Sequence, residues 1–194
     1  MSKLPSRSLK NYWYLFLIGI GVSGVAFYGL DSALTRLKPS EQLSLFLLAE
    51  SFQEEKIASL LNEKKPDTIV AMEEHFVVSS NSSLSTLYSA YGPGVSDLLL
   101  LPESQLSNSA PQLAVLQDSV LLPYFDSGLT YWSYGGVNYG ILSHQHTSSS
   151  QTLVGYSTTE DYYLCFSASS VQIGSLNGSS NDAALKLGKS LLNL

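Results

Sequence analysis

Few residues in this chain stand at spacings that do chemistry. Glu73-Glu74-His75 sets two carboxylates beside an imidazole, a set that supports acid–base transfer. The same three also read as the solvated break of a strand at a sheet end or edge. His144 and His146 are two apart, so on a strand they share a face and could open a metal site. No third ligand stands near them in sequence, and a solvated loop accounts for both. Cys165 is the single cysteine, so no disulfide forms within the chain. Inside its apolar run it reads as a small core residue. Phosphate-cradling glycine loops, Cys-x-x-Cys pairs and G-x-S-x-G elbows are absent. The sequence therefore points away from an enzyme and calls for no metal or cofactor.

The strongest placement signal is Asp97 followed by Leu98 to Leu101 and then Pro102-Glu103-Ser104. Four consecutive leucines suit a strand buried on both faces. Pro-Glu-Ser then leaves the core. Upstream, Leu43 to Ala49 reads as a first buried strand ending in Glu50-Ser51. Ser51 and Glu54 have capping-box spacing for a helix whose stripe is Ile57, Leu60 and Leu61, stopped by Pro66. Thr68 to Val78 is a second strand ending in Ser79 to Asn81. Leu84, Leu87, Tyr88 and Tyr91 make one helical face, closed by Gly92-Pro93-Gly94. The order is β-α-β-α-β with helical crossovers, so the strands are parallel. Glu50, Ser51, Ser79, Asn81, Glu103 and Ser104 then share one edge, where open α/β sheets hold ligands.

Downstream, the texture is antiparallel. Residues 106–117 read as loop and a short helix. Thr130 to Leu142 is a hairpin turned by Gly135-Gly136. Further strands are expected at 152–156, 162–166 and 171–176. Asn181-Asp182 caps a C-terminal helix with Ala184, Leu187, Leu191 and Leu192 inward. The expected class is α/β: an N-terminal transmembrane helix, a β-α-β-α-β sheet with added antiparallel strands, and a C-terminal helix.

The expected membrane helix is Tyr12 to Leu30, an uncharged run of 19 residues, the alternative being a signal peptide cleaved near Asp31. As a helix it spans ~28 Å, close to the hydrocarbon thickness of a bilayer. Aromatic residues mark both ends, and Lys3, Arg7 and Lys10 precede it, which orients the N-terminus to the cytoplasm. The expected layout is a cytoplasmic 1–11, an anchor in the lipid bilayer at 12–30, a tether at 31–41 and an extracytoplasmic domain at 42–194. Ten Lys and Arg, three of them before residue 31, leave seven against all sixteen acidic residues. That net of −9 disfavours nucleic acid and anionic headgroups as partners.

Three short stretches now carry a resemblance. Ser96-Asp97-Leu98-Leu99-Leu100-Leu101-Pro102, Gly136-Val137-Asn138-Tyr139-Gly140-Ile141 and the late Ala183-Ala184-Leu185 helix resemble the first lobe of extracellular solute-binding proteins of ABC importers, the type 2 periplasmic-binding fold. The likeness spans about residues 43–192. That family has two lobes and about twice this length, so the resemblance implies a reduced, single-lobe relative. It implies a small polar ligand such as a sugar or peptide, and an ABC transporter permease or other membrane protein as partner. By position, the ligand-binding residues it implies are Glu50, Ser51, Ser79, Asn81, Glu103, Ser104 and Tyr139. Hairpin tyrosines and tryptophan would stack on a sugar face. The other reading is a non-catalytic interaction or scaffolding subunit of a transporter or envelope complex.

Overall fold

The computed structural model describes residues 37–146 and 153–192. The expected membrane segment, residues 12–30, lies outside them. Among the described residues no helix is long and apolar enough to cross a membrane. The described residues from Lys38 onward form one compact unit.

The described residues form eight strands and five α-helices. The strands are β1 (Gln42–Ala49), β2 (Ser51–Phe52), β3 (Ala71–Val78), β4 (Leu98–Pro102), β5 (Tyr131–Tyr134), β6 (Val137–His144), β7 (Val154–Gly155) and β8 (Tyr162–Phe166). The helices are α1 (Glu54–Lys64), α2 (Leu84–Tyr91), α3 (Glu103–Ser109), α4 (Asp118–Leu121) and α5 (Ala183–Leu191). Six strands form one mixed sheet in the order β3-β1-β4-β8-β6-β5, and β2 pairs with β7. β3, β1 and β4 are parallel, while β8, β6 and β5 join antiparallel. The α/β class and its parallel β-α-β-α-β half are as the sequence implies.

Both sheet faces are covered. Leu98 and Leu100 pack on one side with Ile57 and Leu61 of α1 and Ala184 and Leu187 of α5. Leu99 and Leu101 pack on the other with Leu84, Leu87 and Tyr88 of α2 and Leu106 of α3. Burial on two faces is why β4 is an unbroken leucine run. The chain steps from β1 outward to β3, then back past β1 to β4. That reversal sends α1 and α2 to opposite faces, as uniform crossover handedness requires. The two central hairpin glycines turn with φ of 61° and 81°, which a side chain would strain.

Two local expectations are corrected. Ser51 does not cap α1. It pairs with Gly155 in the β2–β7 ribbon, and the helix begins at Glu54 behind Gln53. Ribbon pairing takes the residue that the capping box needed. Residues 171–176 form no strand. Gln172 is buried and gives its amide N–H groups to the carbonyls of Pro39 and Gln42, at 3.0 and 2.6 Å. Gly174 turns with φ of 54° into a 3-10 turn. This segment is a clamp across the amino ends of the strands.

Candidate functional site

The carboxyl ends of β1, β3 and β4 meet at one edge, and six of the seven expected residues lie there. Glu50, Ser51, Ser79, Asn81, Glu103 and Ser104 are all exposed. β1 and β3 are tied at this edge: the Ser79 backbone N–H and hydroxyl both donate to the Ala49 carbonyl, at 2.8 and 3.0 Å. The Asn81 side chain accepts the Ser83 N–H at 2.8 Å, which commits it to its own turn. α1 departs β1 for one face of the sheet and α3 departs β4 for the other. The gap between Glu50 and Glu103 is therefore the topological switch point, where doubly wound sheets open a crevice.

The seventh expected residue, Tyr139, lies elsewhere. It stands near the start of β6, one position before Gly140, which pairs with Cys165 near the carboxyl end of β8. Its ring packs beside Trp132, centroids 6.4 Å apart, over the core face that holds Leu99. The hairpin aromatics thus stand away from the Glu50–Glu103 edge and do not offer a stacking surface there.

Other residues, which the sequence reading did not assign, complete the edge. β8 runs antiparallel to β4, so the segment before it arrives at the carboxyl ends. Glu103 N–H donates to the Asp161 carbonyl at 2.9 Å, and Ser104 N–H to the Glu160 carboxylate at 3.1 Å. Tyr162 opens β8 with its ring buried. Its hydroxyl accepts the Ser157 N–H at 3.2 Å and has Ser79, Glu50 and Glu160 as polar neighbours. Burial, aided by those carboxylates, pushes the Tyr162 hydroxyl above its ordinary range. The Tyr156 ring lies between Tyr162 and His144, stacked on His144 at 4.1 Å, and burial pushes its hydroxyl up to about 12. His146 donates its backbone N–H to Asp161 at 2.8 Å, and its ring meets the same oxygen at 2.6 Å.

The edge therefore holds four carboxylates, Glu50, Glu103, Glu160 and Asp161, with two imidazoles and two phenols. Such a set accepts hydrogen bonds from hydroxyls and amides, while its aromatic rings offer apolar faces. Among the described residues no group of three acidic, His or Cys side chains is disposed to hold a metal ion.

Compared with family models, with curated proteins and with solved structures, the chain has no match.

The remaining chemistry-bearing residues stand apart from this edge. Glu73 and His75 lie on the outermost strand, β3, 3.1 Å from each other, and the His75 ring stacks on Tyr91 at 3.8 Å. A solvated edge strand accounts for them. Cys165 is fully buried, and burial pushes its thiol far above the ordinary range, so it is a core residue and no nucleophile.

Proposed function

We propose that this chain is a non-catalytic binding module, held outside the membrane by residues 12–30, that takes a small polar ligand such as a sugar or peptide. The observation that carries the reading is the convergence of Glu50, Ser51, Ser79, Glu103 and Ser104 at the switch point of the sheet. The carboxylates accept hydrogen bonds from ligand hydroxyls or amides. The His144–Tyr156 stack, on the same edge, supplies the aromatic face that the hairpin does not. Binding is favoured over catalysis because two of its groups that could serve as nucleophile or base are already engaged. The Ser79 hydroxyl donates to a carbonyl, and the His146 ring is held by Asp161. The likeness to solute-binding proteins adds a transporter permease as the partner.

The test is thermal unfolding of the full chain against a panel of sugars and short peptides. A ligand at a hundred times its Kd adds about 2.7 kcal/mol, a rise of about 5–10 °C for a domain of this size. We expect at least one such rise, lost in the double variant Glu50→Gln, Glu103→Gln. A panel without a shift, or a shift that the double variant retains, refutes the reading.

A second reading, an interaction or scaffolding subunit, draws on the β5–β6 hairpin. β5 is an edge strand, Tyr134 on it is 55% exposed, and the Trp132 and Tyr134 rings stack at 5.9 Å. An exposed aromatic edge suits protein docking. Under this reading a membrane partner co-purifies in detergent, is lost on Trp132→Ala with Tyr134→Ala, and no ligand shifts the melting curve.

A further inference from the structure

The end of the sheet opposite the switch point holds a second candidate site. There a recess of about 550 Å3 opens at the amino ends of β1, β3 and β4. That volume is within the usual range of small-molecule sites. Glu73 on β3, Ser44 on β1 and Asp97, the residue that leads into β4, stand side by side on its floor. Ser44 is in register with Glu73, and Asp97 N–H donates to the Ser44 carbonyl at 2.9 Å. Val95 and Val171, 57% and 44% exposed, give it aliphatic walls beside Met72.

The serine protons of this lining are all spent within the fold. Ser96 donates to the Tyr91 carbonyl, so its partner Ser44 must donate to Ser96, at 3.1 Å. Ser169 donates to the Gly94 carbonyl at 3.2 Å, and Ser170 to Asp97 at 2.6 Å. No Lys or Arg lines the recess. Among the hydroxyls and carboxylates of this lining, what remains open to a ligand is acceptor capacity. Each Asp97 oxygen accepts one bond, from Ser44 N–H or the Ser170 hydroxyl, and keeps a lone pair. Glu73 keeps a carboxylate oxygen beyond its contact with His75. The side chains of such a site repel anions, give a neutral acceptor no hydroxyl proton, and fit a compact cation on an apolar stem.

We propose that this recess binds a primary ammonium group on a short aliphatic stem, seated over Ser44 between Glu73 and Asp97. The ammonium donates to both carboxylates, and the stem lies against Val95 and Val171. Burial holds the Asp97 carboxyl above its ordinary range, and among the described residues it has no cationic partner. An ammonium supplies that partner. The two sources of this chemistry are a free alkylamine and the lysine side chain of a peptide.

The experiment is amide NMR of the full chain in a neutral sugar detergent at pH 7.5. It is titrated separately with n-butylammonium chloride and with N-acetyl-Gly-Lys-Gly amide. n-Butanol and sodium chloride are the controls. We expect saturable movement of the Ser44, Asp97 and Ser170 amides with the alkylamine, the peptide or both. Movement with the peptide alone makes a partner's lysine the source; movement with the alkylamine makes free amines sufficient. Two surface variants guard the result. Glu73→Gln removes one carboxylate, and Val95→Lys seats a competing ammonium of the chain's own. Either weakens binding at least about threefold, as loss of a half-exposed ion pair does. Immobile amides, equal movement with a control, or unweakened binding in both variants overturns the proposal. These amides lie at the opposite end of the strands from Glu50 and Glu103, so the outcome is independent of the ligand panel above.

Discussion

His144 is a residue whose protonation this fold penalises. Burial lowers its pKa, against a smaller upward pull from Asp161, and its ring is stacked on Tyr156. The unfolded chain takes up this proton near pH 6.5, while the folded chain resists it. Stability therefore falls as pH drops below about 6.5. Asp161 has the opposite balance. Burial pushes it up, but the His146 N–H and ring outweigh burial and hold it below the ordinary carboxylate range. A depressed carboxyl stabilises above its unfolded pKa of about 3.9, and that contribution is lost as pH falls through the folded value. Acid should thus loosen the edge in two stages. Urea midpoints at pH 7.5 and 5.5 test the first stage. We expect the natural chain to lose stability between them and His144→Phe, which keeps the stack but cannot take the proton, to lose less. Equal losses would sink the assignment.

At the scale of elements, Asp97 joins the central strand to its surroundings. Ser44 N–H, at 2.8 Å, closes the β1–β4 ladder onto one oxygen, and the Ser170 hydroxyl, just before the 171–176 clamp, binds the other. Removing the carboxylate leaves two donors short of an acceptor, so Asp97→Ala should cost about 2–3 kcal/mol, against about 1 kcal/mol for Ser170→Ala. Urea unfolding of the two variants decides it; a loss in the first no larger than in the second refutes this role. The same strand illustrates what can be read from sequence. Leu98 to Leu101 announce burial on both faces, and Gly135-Gly136 announce a tight hairpin, because both signals are local. The direction in which Tyr162–Phe166 joins the sheet is not local, so Glu160, Asp161 and Tyr162 went unassigned at the edge although the strand itself was legible. Ser51 carried a helix-capping signal that β7, a partner about a hundred residues away, overrode. Tyr139 was assigned by resemblance alone, and the register of β6 puts it on the core face. Residues 171–176 have a strand's composition, but Ser170 and Gln172 spend their polar groups on Asp97, Pro39 and Gln42.

For the whole molecule, the charge balance bears on how the proposed attachment to a membrane would work. The chain after residue 30 carries −9, and a surface of that sign is repelled by anionic headgroups. Adsorption through basic patches is therefore a poor means of attachment, and under the proposed reading the burden would fall on Tyr12 to Leu30. An uncharged 19-residue run, if it spans a bilayer as proposed, would hold irreversibly, whereas electrostatic adsorption yields to salt. The two modes separate by extraction. We expect the full chain to sediment with membranes through both high salt and alkaline carbonate, and a variant lacking residues 1–30 to remain in the supernatant. Protease added outside intact cells should remove the C-terminal domain, because the positive-inside bias of Lys3, Arg7 and Lys10 directs it outward. Release of the full chain by carbonate, or a mature N-terminus near Asp31, would mean that the segment is no anchor. The proposed edge would then have to serve without a membrane anchor, and the proposed permease partner would be met by diffusion.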